Sequence, residues 1–211
     1  MRRPGGRWPT ITLALTFGVA FGLAAVLIHG TTKTPAARPA IYPMRAQVTW
    51  DSGTKRAPAF SLRDQTGRFT SLAALRGRPV LLTFIDSVCR TECPLEGRVL
   101  ADVQRRVAGT GAVLAVVSVD PWADTPATAR AFARKAHWDS GWHWLLGSVR
   151  TLRPVWASYS IGVQRRRGDV AHSAALYLID GDGYLRAGYL FPFGAGALAH
   201  DIRAVASQSG A

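Results

Sequence analysis

Residues 80–94 read VLLTFIDSVCRTECP, and the architecture can be worked out from this segment. Its first six residues are almost entirely apolar, which predicts a short strand buried on both faces of a sheet. Cys89 lies four residues beyond that strand, and Pro94 directly follows Cys93. Because proline favours the first turn of a helix, both cysteines are expected on the loop or first turn that enters a helix.

Strands and helices alternate on both sides of this segment. Apolar residues at helical spacing after Cys93 predict a helix that ends near Gly109, and the run AVLAVVSV at 112–119 predicts a second buried strand. Asp124, Thr125 and Pro126 are expected to cap the next helix. The other predicted elements are a hairpin at 58–70, helices at 149–159 and 196–207, and a hairpin formed by 174–179 and 184–190. This order predicts an α/β fold, a thioredoxin-like mixed sheet flanked by helices.

The N-terminal part of the chain predicts a membrane anchor. Residues 8–28 carry no charge, and a helix of that length spans about 31 Å, the thickness of a bilayer core. The basic tail at 1–7 predicts a single-pass protein of the inner membrane, with the N-terminus in the cytoplasm and the C-terminal domain in the periplasm or exterior. A cleaved signal peptide is the alternative. Residues 29–56, rich in Pro, Ala and Thr, are expected to link the anchor to an exported domain at 57–211.

Composition excludes several classes of protein. Two cysteines are too few for a disulfide-dense scaffold or for a Cys₄ metal site within one chain. The 211 residues have a formal net charge of +13, but six of the basic residues and none of the acidic ones lie in residues 1–50. No recognition motif accompanies the charge, so we expect no nucleic-acid binding. The run Arg165-Arg166-Arg167 is interpreted as a solvated loop.

The cysteine pair has three chemical interpretations: a redox pair, part of a metal site, or a structural disulfide. A four-residue offset on a helical turn places the Cα atoms about 6 Å apart, within disulfide range, and turns both sulfurs to one side. The helix N-terminus would stabilise a thiolate. A third ligand would identify a metal site, and the candidates are His29, His137, His143, His172 and His200. Spacing alone places His172 only slightly above His143.

Five segments resemble the Sco family of membrane-anchored copper proteins that serve cytochrome c oxidase assembly. They are APAFSL at 57–62, GRPVLLTF at 77–84, CRTECP at 89–94, SVDPWADTP at 118–126 and HSAALYLIDGDG at 172–183. The resemblance implies that Cys89, Cys93 and His172 bind one copper ion, a donor set suited to Cu(I) and able to hold Cu(II). It also implies a copper chaperone rather than an enzyme, whose partner is the apo copper site of a respiratory oxidase subunit.

Two departures from the family pattern bear on partner specificity. Arg90 stands where the family commonly has proline, and Asp86-Ser87-Val88 replaces its Tyr-x-His pattern. The rival hypothesis is a membrane-tethered thiol–disulfide oxidoreductase that reduces the cysteines of a partner's copper site, itself served by a thiol reductant protein. A peroxidase is disfavoured, because neither cysteine has the threonine three residues earlier that a peroxiredoxin carries.

Overall fold

The computed structural model describes residues 43–208. The predicted cytoplasmic tail at 1–7 and the predicted anchor at 8–28 lie outside these residues and stay predictions. Among the residues described, no helix combines the length and the apolar character needed to cross a membrane.

The described residues form ten strands and four α-helices, with a short 3-10 turn at Ala73–Leu75. The strands are β1 (Val48–Thr49), β2 (Ser61–Arg63), β3 (Phe69–Ser71), β4 (Val80–Ile85), β5 (Val113–Ser118), β6 (Trp142–Leu145), β7 (Val163–Arg166), β8 (Asp169–His172), β9 (Ala175–Ile179) and β10 (Leu185–Leu190). The helices are α1 (Cys93–Arg106), α2 (Pro126–Ala136), α3 (Val149–Ser158) and α4 (Ala195–Gln208).

A six-stranded mixed sheet of order β1-β10-β9-β4-β5-β6 forms the centre of the domain. Strand β4 runs parallel to β5 and antiparallel to β9, and all twelve residues of β4 and β5 are buried. Because a strand covered on both faces needs apolar side chains at every position, the two apolar runs became the central strands. The predicted thioredoxin-like fold is confirmed.

Helices cover both faces of this sheet. Leu100 of α1, Phe132 of α2 and Ile202 of α4 belong to the core on one face. Leu62 of the β2–β3 hairpin and Leu152 of α3 belong to the core on the other. This layering leaves the C-terminal end of β4 and the start of α1 at one end of the sheet, where the cysteines lie.

The predicted cap of α2 needs correction. Thr125 is the N-cap, and it forms a capping box with Thr128. Asp124 instead accepts hydrogen bonds from the hydroxyls of Ser87 and Ser118. The aspartate that was expected to begin the helix therefore ties the loop after β4 to the end of β5.

The interpretation of the arginine run at 165–167 as a loop needs correction. Arg165 and Arg166 belong to β7, which pairs with β8 across a turn at Arg167 and Gly168. Gly168 has a φ of 74°, a conformation that glycine adopts without steric cost. The guanidinium of Arg165 lies 4.6 Å from the ring centre of Trp122. The charges are solvated as expected, but they are carried by a hairpin whose other strand ends at His172.

The folded domain begins before residue 57. Val48 and Thr49 pair with β10, and the carboxylate of Asp201 accepts the backbone N–H of Arg45 at 2.8 and 2.9 Å. The C-terminal half of the predicted 29–56 linker therefore packs onto the domain. The composition of residues 29–56 indicated a linker. An edge strand such as β1 is held by backbone pairing and needs no hydrophobic pattern, so the sequence did not predict it.

Candidate metal centre

The fold brings Cys93 and His172 together from distant parts of the chain. Cys93 is the first residue of α1, which follows β4, and His172 is the last residue of β8, which leads into β9. Because β9 pairs directly with β4, the loop before β9 lies beside the loop after β4. The Sγ atom of Cys93 lies 3.8 Å from Nε2 of His172. Both cysteines are free thiols in this structure.

The hydrogen bonding of His172 determines which ring nitrogen faces the cysteines. Its Nδ1 lies 3.1 Å from the carbonyl oxygen of Ser173. A carbonyl only accepts, so Nδ1 carries a proton, and the nitrogen that faces the sulfur of Cys93 is Nε2, which has a free lone pair in the neutral imidazole. A backbone carbonyl that fixes the tautomer in this way is the usual support of a metal-binding histidine.

The two cysteines share one proton unequally. The pKa of Cys89 is lowered to about 4, and the largest cause is a hydrogen bond from the Cys93 thiol. Burial of Cys89 opposes this shift. The backbone N–H groups of Thr91 and Cys93 and the Thr91 hydroxyl lower the pKa further. The same hydrogen bond, with burial, raises the pKa of Cys93. The metal-free site therefore holds a partly exposed thiolate at Cys89 and a buried thiol at Cys93.

This asymmetry predicts the alkylation behaviour of the reduced, metal-free protein. Cys89 should react with iodoacetamide nearly as fast near pH 6 as near pH 8, because its thiolate is already formed, whereas an ordinary thiol slows by more than about tenfold. In the Cys93→Ala variant the hydrogen-bond donor is gone, and the rate at Cys89 should regain a steep pH dependence. Mass spectrometry of the alkylated peptides measures both. A Cys89 rate that falls with pH like that of a free thiol would contradict the assigned proton sharing.

Carboxylates hold the loop that carries Cys89 and leads to Cys93, which we call the cysteine loop (residues 86–92). Asp86 accepts the backbone N–H of Val88 at 2.8 Å. Burial, opposed by that hydrogen bond and reinforced by the charges of Asp124, Asp120 and Cys89, raises the pKa of Asp86 to about 6. Asp124 accepts the backbone N–H of Ser87 at 2.8 Å. The start of the loop is thus fixed by carboxylate–backbone hydrogen bonds.

Glu96 is a buried acid beneath the site that the sequence analysis did not single out. It lies in the first turn of α1, is 2% exposed, and accepts the hydroxyl of Thr83 at 2.5 Å. Burial raises the pKa of Glu96 to about 7, and the charges of Cys89 and Glu92 raise it further. The hydrogen bond from Thr83 opposes this shift. The available signal was a glutamate at helical spacing from Cys93, three residues earlier, and Leu100, four residues later.

The other candidate histidines are engaged elsewhere. Nδ1 of His143 lies 3.1 Å from Asp64, whose pKa falls to about 2 because hydrogen bonds from Thr66, His143 and Thr70 outweigh the effect of burial. His200 pairs with Asp201. His137 ends α2 in a left-handed conformation with its side chain exposed. His29 lies outside the described residues.

The described residues do not contain a preassembled metal cage. In the range 43–208, no three or more His, Cys, Asp or Glu side chains are grouped closely enough to hold a metal ion as they stand. The contact between Cys93 and His172 is in place. A metal ion would have to draw Cys89 and His172 around one centre.

Comparison with known proteins places this arrangement in a family. Residues 50–207 match the SCO1/SenC family model. The SCO1 protein homolog of Bacillus subtilis (strain 168) is 28% identical over 131 residues, which cover 59% of this chain and 68% of that protein.

Solved structures agree in fold. ScoI of Bradyrhizobium japonicum, solved with copper bound, is 26% identical with a TM-score of 0.62, over 71% of this chain and 99% of that one. BsSco, a member of the Sco family of cytochrome c oxidase assembly proteins in which a disulfide switch was identified, is 24% identical with a TM-score of 0.63, over 76% and 98%. Since the family model covers most of the chain, this protein belongs to the SCO1/SenC family.

Proposed function

We propose that this protein is a membrane-tethered copper chaperone. It binds one copper ion through Cys89, Cys93 and His172 and passes it to the apo copper site of a respiratory oxidase subunit during assembly. The observation that carries the proposal is the 3.8 Å approach of Cys93 Sγ to Nε2 of His172, whose Nδ1 faces the carbonyl of Ser173. Membership of the SCO1/SenC family and the copper-bound ScoI relative support it.

The donor spacing fits a three-coordinate metal. With thiolate and imidazole bonds of about 2.3 and 2.0 Å, separated by about 120°, sulfur and nitrogen lie about 3.7 Å apart. The observed distance of 3.8 Å between Cys93 Sγ and His172 Nε2 would therefore change little when a metal ion binds both atoms. Two thiolates and an imidazole favour Cu(I) and tolerate Cu(II). Copper binding would also displace the proton of Cys93, so affinity rises with pH.

Unequal exposure gives the ligands different parts in transfer. Cys93 is 2% exposed, whereas Cys89 is partly exposed on the cysteine loop. An incoming ligand of the acceptor reaches the metal from the Cys89 side, and Cys89 is the first of the two sulfurs to be exchanged. The predicted anchor at 8–28 would hold the domain at the outer face of the inner membrane, where oxidase subunits present their exported domains.

Direct transfer tests this function. Full-length protein loaded with one copper equivalent is mixed with an oxidase copper-site subunit that lacks its metal. We expect the subunit's copper absorption bands to appear while the chaperone loses its metal, and we expect the His137→Asn variant to transfer as well as the wild type. Retention of copper by the loaded protein in the presence of excess apo subunit would contradict the delivery role.

The thiol–disulfide oxidoreductase remains the second candidate because of the proton sharing described above. A partly exposed thiolate beside a buried thiol is also how an attacking and a resolving cysteine are arranged. The CxxxC spacing differs from the usual CxxC of thioredoxin-like reductases. Rapid reduction of the acceptor's disulfide by copper-free protein, combined with weak copper binding, would favour this function over the chaperone.

A further inference from the structure

A concave surface beside the proposed metal site is lined by Cys89 but by neither Cys93 nor His172. It is a groove of about 570 Å³ between the cysteine loop, the first half of α1 and the C-terminal half of α2. Cys89 lines it, together with Val88 and Arg90. The volume is in the range of pockets that take up ligands or short peptide segments.

The groove exists because two helices approach closely below it. A Cβ atom on Gly97 of α1 would lie 2.8 Å from the ring of Phe132 on α2. The indole Nε1 of Trp138 donates to the carbonyl of Gly97 at 2.8 Å and locks the contact. Phe132 and Ala136 line the groove beside this contact, and so do Arg98, the neighbour of Gly97 on α1, and Lys135, the neighbour of Ala136 on α2.

The walls of the groove are positively charged. Arg90, Arg98 and Lys135 line it, all three are exposed, and none of their side chains has a hydrogen bond or ion pair to another residue within the range 43–208. No Asp or Glu lines the groove, and Asp124 nearby is engaged by Ser87 and Ser118. Elsewhere on α1 the exposed Arg105 and Arg106 are both paired with Asp102. We call the surface formed by Arg90, Arg98 and Lys135 the basic groove.

We propose that the basic groove docks an acidic segment of the protein that exchanges metal or thiols with Cys89. This proposal rests on the proposed function, because it describes how the partner of that function is recognised. Unpaired cations along a groove attract an anionic chain and accelerate its encounter. They line the same groove as Cys89, the more exposed sulfur, so a chain bound there lies beside that sulfur.

A peptide fits this surface better than a membrane does. The cations line a recess with an apolar floor of Phe132 and Ala136, and a side chain can enter such a recess whereas a flat layer of lipid headgroups cannot. The departure from the family pattern at Arg90 falls on this groove, so it contributes one of the three charges.

A thiol-exchange rate tests docking without copper. Peptides rich in glutamate, glutamine or lysine each carry one cysteine as a mixed disulfide with thionitrobenzoate. The Cys89 thiolate attacks the peptide sulfur, the Cys89–peptide disulfide forms, and the thionitrobenzoate thiolate leaves as a coloured product. With full-length reduced protein in detergent at low salt, we expect the glutamate peptide to react about tenfold faster than the glutamine peptide. Normalising to the glutamine peptide cancels changes in the intrinsic reactivity of Cys89.

Two charge-matched variants decide the location. Arg98→Glu with Lys135→Glu should remove the glutamate preference, whereas Arg134→Glu with Arg150→Glu makes the same change in net charge at exposed sites outside the groove and should keep it. An equal loss in both variants, or retention in the first, overturns the proposal. The proposal is also overturned if phosphatidylserine nanodiscs abolish the preference for the glutamate peptide and phosphatidylcholine nanodiscs do not. The groove would then bind anionic lipid.

The result separates docking from the proposed function. Protein that prefers the glutamate peptide but binds no copper supports the docking surface and refutes the chaperone. Protein that binds copper but shows no preference supports the chaperone and refutes the docking surface.

Discussion

Replacing Cys93 with alanine should lower the affinity for Cu(I) by at least about a hundredfold, or about 2.7 kcal/mol. Loss of an outer-shell partner alone commonly costs ten- to a hundredfold, and Cys93 would be a direct ligand that also contacts His172. The variant keeps Cys89 and His172, but Nε2 of His172 then faces a methyl group instead of a sulfur 3.8 Å away. Competition with a chromophoric Cu(I) chelator measures the change.

The matched control for this loss is His137→Asn. His137 is exposed at the end of α2 and has a φ of 60°, which asparagine tolerates better than most residues. The control removes an imidazole without touching the cysteines, so its affinity should equal that of the wild type. Equal affinities in Cys93→Ala and the wild type would show that copper binds elsewhere.

Replacing Glu96 with glutamine should stabilise the metal-free protein near pH 8 by up to about 3 kcal/mol. Burial raises the pKa of Glu96 from 4.5 to about 7, so the folded state binds more protons than the unfolded state between these values. Stability from this carboxyl is complete below about pH 4.5 and is lost as the pH rises through about 7. Glutamine keeps an oxygen that accepts the Thr83 hydroxyl and carries no charge to bury.

The difference between two denaturation curves isolates this effect. Free energies of unfolding are measured for wild type and Glu96→Gln from about pH 4 to pH 8, so that other titrating groups cancel. The variant's advantage should grow with pH and level off above about pH 8. Glu92→Gln, an exposed change one turn earlier, should show no such trend. A constant difference across the range would mean that Glu96 has an ordinary pKa.

The sequence predicted the centre of the domain and not its edges. Strands β4 and β5 were predictable because burial on both faces requires continuous apolar runs. Strand β1 and the β7–β8 hairpin were missed because their pairing depends on backbone hydrogen bonds and on a turn at Gly168, which leave no hydrophobic pattern. The start of the domain near Arg45 was missed for a similar reason. The backbone of Arg45 is held by the buried carboxylate of Asp201, far along the chain, and this contact leaves no local sequence pattern.

The candidate site was predictable to the same extent. The sequence identified two cysteines at a helix entrance and narrowed the histidine to His172 or His143. Only the pairing of β9 with β4 places His172 beside Cys93, and only the neighbouring hairpin gives His143 a different partner in Asp64. Glu96 was not singled out because an acid on a helix is exposed in most proteins, and its burial depends on the tertiary packing of α1 against β4.

X-ray absorption at the copper edge tests the ligand set most directly. The full-length protein loaded with one equivalent of Cu(I) should show a first shell of two sulfurs and one imidazole nitrogen, and the outer-shell imidazole scattering should disappear in His172→Ala but persist in His137→Asn. A single sulfur, or imidazole scattering that is unchanged in His172→Ala, would contradict binding by Cys89, Cys93 and His172.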